Sequence, residues 1–214
     1  MRRRQIVRQL LRSCYDERMN VLVALFALAA PVLGLSQVEV EAALRGEIPA
    51  RTETFTNAHG QPSGRGLGAI LIQRPIAEVW ATLIRYEDKP EYIPRLRSVA
   101  ILEKHSDRVR IRQEIDASIT TARYTAWYQF FSDEHAIRWK LDGSAADNTL
   151  ADVEGEYRLV EHSPTQTLLI YRTYVDPGRA VPQFIRNYMA VKSLPKFLRA
   201  VKMRVESGGT WKKD

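Results

Sequence analysis

The C-terminal part of the chain carries the clearest helical pattern. Within residues 181–206, apolar side chains recur at steps of three or four, which places them on one face of a helix. These residues are Phe184, Tyr188, Val191, Leu194, Leu198, Val201 and Val205. Pro195 lies inside the pattern. Because proline removes a backbone hydrogen bond, we predict a kink there or a restart with Ser193 as the cap.

Upstream segments alternate apolar and polar residues, as strands with one covered face do. The cleanest is 108–116, where Val109, Ile111, Gln113 and Ile115 alternate with charged residues. Further strands are predicted at 67–73, 98–103, 124–130, 137–141, 153–159 and 169–175. A stretch at 51–56 precedes a glycine-rich loop and can pair with 67–73 as a hairpin.

Short helices are predicted at 40–44, at 76–83 after Pro75, and at 90–93 before Pro94. The second and third of these helices follow the strand at 67–73, and the long helix is the last element. Helices gathered on one side of a meandering antiparallel sheet predict an α+β domain. We expect a curved sheet of about seven strands wrapped around the C-terminal helix, with a ligand pocket between them.

The N-terminal region resembles an export signal. Residues 21–35 are uncharged and apolar and follow a basic segment, with Ser36 as a cleavage position. We therefore expect an exported, periplasmic or secreted protein. The alternative is that the segment stays as an anchor in the inner membrane and contacts it there.

The net charge of +7 does not by itself predict nucleic-acid binding. Six arginines and two acids lie within the first 18 residues, so the rest of the chain is nearly neutral. A stripe of Arg108, Arg110 and Arg112 is left as a weaker candidate for nucleic acid or a membrane surface. Such stripes are usually the wet face of a strand, so no nucleic-acid partner is expected.

Catalytic and metal-binding signatures are missing from the sequence. The four histidines fall in or beside predicted loops without metal-ligand spacing, and the only cysteine is Cys14. Glu114, Asp116, Glu154 and Glu156 fall in the outward phase of their strands. We therefore predict no metal, no cofactor and no catalytic residue, and we expect a monomer.

Several polar residues fall in the inward phase. They are Gln113, Tyr124, Tyr128, Tyr157, Tyr171, Thr173 and Tyr188. A tyrosine can pack its ring in the core and send its hydroxyl to the rim. A buried amide is more costly, by about one to a few kcal/mol, so Gln113 predicts an internal hydrogen bond or a ligand carbonyl.

Two stretches, 73–103 and 171–205, resemble the START-like helix-grip superfamily, in particular its polyketide cyclase/dehydrase and lipid transport branch and the related coenzyme Q-binding proteins. The first contains a strand, a proline-initiated helix with Val79-Trp80, and a Tyr-Ile-Pro turn at 92–94. The resemblance implies a helix-grip domain at 66–207, after a signal or anchor at 1–36 and an extension with a loop at 37–65. A short tail at 208–214 follows.

The resemblance implies a cavity for a lipid, quinone, sterol or polyketide-like molecule. We expect its lining to be formed by Ile111, Gln113, Tyr124, Tyr128, Trp139, Tyr157, Tyr171, Phe184, Tyr188 and Val191. Binding, and with it transport, of a hydrophobic small molecule is the function we favour, because no catalytic pair is visible. The alternative is a cyclase or aromatase that uses the same cavity, since fold does not decide function.

Overall fold

The computed structural model describes residues 34–57, 60, 62–117, 120–177 and 183–214, and it describes the side chains of the last helix from Ser193 onward. Residues 38–214 form one unit of the chain and residues 1–37 another. The predicted export segment at 21–35 lies almost entirely outside the described residues. Its cleavage and the export of the protein therefore remain predictions.

The elements follow the predicted order, with three short helices, a meander of strands and a long last helix. They are α1 (Gln37–Leu44), β1 (Ala50–Thr56), β2 (Pro62–Ile72), α2 (Ile76–Leu83), α3 (Lys89–Tyr92), β3 (Leu96–Lys104), β4 (Arg108–Asp116), β5 (Thr121–Phe131), a 3-10 turn (Ser132–Glu134), β6 (Ala136–Leu141), β7 (Asp152–Ser163), β8 (Gln166–Asp176) and α4 (Gln183–Glu206). Of the helices described, none combines the length and the apolar character that crossing a bilayer requires.

The strands form a single antiparallel sheet in the order β1-β2-β8-β7-β6-β5-β4-β3. The α+β class and the helix-grip arrangement are therefore confirmed. The described sheet has eight strands rather than about seven, because β1 pairs with β2 along its whole length, from Ala50 opposite Gly68 to Thr56 opposite Pro62. This pairing is the predicted hairpin across the glycine-rich loop, and it adds a strand at the edge of the sheet.

Helix α4 packs its apolar face against the sheet. Leu194, Leu198, Val201 and Val205 are buried in the main core, as the spacing predicts. Pro195 lies inside the continuous helix, so the helix does not restart at Ser193. We call the side of the sheet that faces α4 the inner face.

Gly68 of β2 allows α4 to lie close to the sheet. A Cβ atom on Gly68 would lie 3.0 Å from Leu198 Cδ1 and 2.9 Å from the carbonyl oxygen of Pro49. A Cβ atom on Gly66 would lie 3.6 Å from Leu194 Cδ2. The contact at Gly66 is an ordinary one, so the close approach of the helix to this strand depends on the missing side chain at Gly68.

Candidate functional site

Aromatic rings cover much of the inner face. Trp139 of β6 stacks on Tyr128 of β5 and on Tyr171 of β8, with ring centroids 5.6 Å apart in both pairs. Tyr157 of β7 lies 4.9 Å from Trp139 and 5.1 Å from Tyr171. Phe197 of α4 stacks on Tyr171 at 4.6 Å, which joins the helix to the same cluster. The cluster spans four neighbouring strands, because alternate residues of each strand share one face.

Gly155 allows Trp139 to lie flat against the sheet. The two residues are direct partners in the register of β6 and β7. A Cβ atom on Gly155 would lie 2.1 Å from Trp139 Cζ2 and 2.5 Å from the carbonyl oxygen of Arg172. Neither distance is possible for a real side chain, so the position of the indole depends on the glycine.

A polar pair lies within this apolar surface. Gln113 Nε2 donates a hydrogen bond to the Tyr128 hydroxyl over 2.6 Å, and both residues are buried. The side chain of Gln113 therefore has the internal partner that its burial requires. Burial raises the pKa of Tyr128 to about 12, although hydrogen bonds from Gln113 and Tyr124 oppose the rise.

The other inward tyrosines also stay neutral at physiological pH. Burial raises the pKa of Tyr86, Tyr124 and Tyr157 well above the usual value, and it raises the pKa of Tyr171 as well. Desolvation of the phenolate is the largest cause in each case. The inner face therefore presents uncharged hydroxyl groups that can donate or accept hydrogen bonds.

Lys89 is the residue at this site that the sequence analysis missed. It is the first residue of α3, and it is only 6 % exposed. Its Nζ atom lies 3.9 Å from the centroid of the Tyr86 ring, 5.7 Å from that of Tyr128 and 5.6 Å from that of Tyr157. Burial lowers the pKa of its amine to about 7. In the sequence, Lys89 stands among charged residues before a proline, a pattern typical of an exposed turn.

Contacts from the C-terminal region hold α3 in place. The buried guanidinium of Arg204 forms ion pairs with Glu91 at 3.0 Å and Asp88 at 3.6 Å. Lys213 donates its backbone N–H to the carbonyl oxygen of Glu91, and its Nζ donates to the carbonyls of Ile93 and Leu96. The residues on both sides of Lys89 are thus held by contacts from the C-terminal region.

The structure brings together seven of the ten predicted lining residues. Tyr124, Tyr128, Trp139, Tyr157, Ile111 and Gln113 are buried members of the inner face or its core, and Tyr171 is partly buried against that core. The side chains of Phe184, Tyr188 and Val191 lie outside the described residues. Contact of any of these residues with a ligand remains a prediction.

The outer face of the sheet carries paired charges. Arg110 contacts Asp142 and Glu103, and Arg112 contacts Asp147. Arg108 lies over the Trp127 ring at 4.9 Å, and Trp127 pairs with Arg110 in the register of β4 and β5. Two of the three arginines in the stripe are therefore already neutralised by carboxylates. A depression on this face is lined by Ser98, Ala100, Arg112, Glu114 and Arg123, and it is polar rather than suited to an apolar guest.

Metal-ligating residues do not cluster in the part of the chain that is described. His105, His135 and His162 are exposed or lie at strand ends. The polar side-chain groups described at the inner face are hydroxyl, amide and amine groups.

The comparisons with known proteins agree with this architecture. The family model described as polyketide cyclase/dehydrase and lipid transport matches residues 72–202, which is more than half of the chain. The chain belongs to this family. The matched segment runs from the end of β2 to the last turns of α4, so it contains the whole aromatic inner face. No curated protein sequence matches the chain.

Solved structures share the fold at low sequence identity. The STAR-related lipid transfer protein from Xanthomonas axonopodis has a TM-score of 0.62 at 14% identity, covering 74% of this chain and 93% of that one. The Zhui aromatase/cyclase from Streptomyces sp. R1128 has a TM-score of 0.58 at 18% identity, covering 66% and 93%. A START superfamily protein from Mycobacterium smegmatis has a TM-score of 0.58 at 17% identity, covering 67% and 97%. At these identities the likeness establishes the fold, a START-like helix-grip domain.

Proposed function

We propose that this protein binds, and carries, a hydrophobic small molecule between the inner face of the sheet and α4. The observation that supports this proposal is the aromatic cluster of Tyr128, Trp139, Tyr157, Tyr171 and Phe197, which presents wide apolar surfaces with a few polar atoms among them. Sites for small apolar ligands have this composition, because burial supplies the affinity and a few polar groups supply orientation.

The family supports the same proposal. Its description joins lipid transport to polyketide cyclisation. Both activities require a pocket that shelters an apolar molecule from water. A lipid, a quinone and a polyketide-like molecule all satisfy that requirement, and the choice among them is a matter for experiment.

Mass spectrometry of the full chain under native conditions, followed by solvent extraction, tests the proposal directly. We expect a bound apolar species, or saturable uptake of the neutral dye Nile red by protein from which bound species have been extracted. Protein that carries nothing and binds no apolar probe would contradict the proposal.

A pair of substitutions on β8 locates the binding surface. Tyr171 lies on the inner face, whereas Tyr174 lies on the opposite face against Phe55, with ring centroids 5.0 Å apart. We expect Tyr171→Ala to weaken Nile red binding about tenfold, which corresponds to a loss of about 1.4 kcal/mol. Tyr174→Ala removes the same ring from the same strand, and it controls for general destabilisation. Equal effects of the two substitutions would argue against binding at the inner face.

A second candidate function is a cyclase-type enzyme, and the hydrogen-bonded pair of Gln113 and Tyr128 is the observation that favours it. These groups can orient a reactive chain in an otherwise apolar space. Tyr128→Phe and Gln113→Ala would then abolish turnover of a poly-β-keto substrate with its affinity retained. If these variants change affinity alone, the carrier function is favoured.

A further inference from the structure

Lys89 places a cationic group inside the proposed binding region. Its Nζ atom lies against three rings, those of Tyr86, Tyr128 and Tyr157. Two of these rings belong to β5 and β7, and Tyr128 also stacks on Trp139 in the aromatic cluster. Lys89 is therefore part of the same wall as the aromatic cluster and not of the protein surface.

The amine has no anionic partner in the described part of the chain. Of the three acids within two residues of Lys89, Asp88 and Glu91 pair with Arg204 and Glu91 also contacts Lys212. The third, Glu87, is exposed, whereas Lys89 is buried. The hydroxyl groups of Tyr86, which precedes α3, and of Tyr92, its last residue, are buried, and neither has a hydrogen-bond partner among the described residues. The ring faces attract a cation, but they replace only part of the hydration that a buried ammonium loses.

The position of Lys89 is held rigidly. Arg204 and Lys213 fix both flanks of α3 through ion pairs and through bonds to backbone carbonyls. From this fixed helix the Lys89 side chain runs inward and is only 6 % exposed. An anion beside the amine would stabilise its protonated form, which burial otherwise disfavours.

We propose that the ligand of this protein is an amphipathic acid, whose carboxylate or equivalent anionic oxygen pairs with the Lys89 ammonium while its apolar body lies on the aromatic cluster. This inference rests on the proposed function and narrows its ligand class. The anion supplies the missing partner, and the buried pair forms only when the ligand is present. A neutral lipid of the same size leaves the amine unpaired and binds more weakly.

Matched acids and alcohols test this proposal on the full chain. The probes are palmitic acid with hexadecanol and 1-pyrenebutyric acid with 1-pyrenebutanol, measured by displacement of Nile red at pH 6.5. At this pH the amine is mostly protonated. We expect the wild-type protein to bind the acid at least tenfold more tightly than the alcohol in at least one pair. Equal affinities for acid and alcohol would overturn the proposal, and this comparison requires no variant.

Two substitutions assign any acid preference to a residue. Lys89→Met keeps the length of the side chain and removes its charge, so the ratio of acid affinity to alcohol affinity should fall to about one. Lys196→Met removes an exposed lysine of α4 and should change neither affinity. An acid preference that survives in Lys89→Met would overturn the role of Lys89. If the wild-type protein binds none of the four probes and carries no extractable apolar species, the proposed function itself fails, and this inference fails with it.

Discussion

Single residues set the polarity of the inner face. Gln113 illustrates this, since an amide in the middle of a strand would destabilise an apolar core if it had no partner. Its bond of 2.6 Å to the Tyr128 hydroxyl satisfies one of its two amide hydrogens within the protein. Lys89 is the opposite case, because its ammonium lies against aromatic rings and has no anionic partner among the described residues. This difference between the two residues is the basis for proposing that a ligand pairs with Lys89.

The buried amine predicts a pH dependence of stability. In the folded state its pKa is about 7, against 10.5 for the unperturbed group. Between these values the unfolded chain binds the proton and the folded protein does not, so the free energy of unfolding rises with pH. The rings that face Lys89 belong to Tyr86, Tyr128 and Tyr157, and their raised pKa values keep them neutral in this window.

Urea denaturation at pH 6.5 and pH 9.5 measures this effect. Relative to Lys89→Met, the wild-type protein should gain about 3 kcal/mol between the two values, because each pKa unit corresponds to about 1.4 kcal/mol. The tyrosines titrate equally in both proteins, so the difference between them isolates Lys89. Lys196→Met should follow the wild-type curve. Parallel curves for wild type and Lys89→Met would show that the amine titrates normally.

At the level of elements, strands β6, β7 and β8 together build the aromatic surface. The register places Trp139 opposite Gly155, and Gly155 opposite Thr173, so the indole extends over a strand that has no side chain at that point. Tyr157 pairs with Tyr171 one step further along the same face. The surface is thus continuous across the strands because a glycine, and not a larger residue, lies beneath the indole.

Gly155→Ala should disrupt this surface. The new methyl group would lie 2.1 Å from Trp139, so the indole must tilt away from the sheet and lose part of its stacking. We expect a loss of about 1 to 3 kcal/mol in the free energy of unfolding, which is typical of overpacking, together with weaker binding of Nile red. Thermal and urea denaturation measure the first effect.

Gly143→Ala is the matched control. Gly143 lies in the loop between β6 and β7, where a Cβ atom would meet nothing within 4 Å. Its substitution should leave both stability and binding near the wild-type values. Similar losses in the two variants would mean that the space beneath Trp139 is not the cause.

At the level of the whole molecule, the end of the chain supports the proposed binding region. Residues after α4 return to α3 and to the start of β3, where Lys213 bonds to the carbonyls of Ile93 and Leu96 at 2.8 Å each. Arg204 links the last turns of α4 to α3. The element that carries Lys89 is therefore held by contacts from more than a hundred residues further along the chain.

Lys213→Met should loosen α3. The substitution leaves two carbonyl oxygens without their charged donor, and we expect a loss of about 1 to 3 kcal/mol in the free energy of unfolding. Hydrogen exchange at residues 89–96 should become faster. Lys212→Met is the control, because Lys212 is exposed and pairs with Glu91 at 3.3 Å rather than with these carbonyls. Unchanged exchange at 89–96 in Lys213→Met would contradict a supporting role of the tail.

The sequence alone was enough to predict the order of the elements, the α+β class and the inward phase of most site residues. This succeeded because a period of two in strands and of 3.6 in helices is a local property of the chain. Gln113, Tyr128 and Trp139 were assigned to the inner face on phase alone. The resemblance at 73–103 and 171–205 indicated the family, and the match of the family model at 72–202 confirmed that assignment.

Only the tertiary structure showed the burial of Lys89 among the tyrosines, the role of Gly155 beneath Trp139 and the hydrogen-bond partner of Gln113. Lys89 stands in a charged, proline-containing turn that predicts exposure, and its burial depends on rings contributed by β5 and β7. Gly155 fits an ordinary strand until the register places Trp139 over it. Periodicity assigns a residue to a face, whereas the distances between faces depend on contacts far apart in sequence. The burial of a polar group at such a contact, and the partner it finds there, depend on residues that only the packing of the chain brings together.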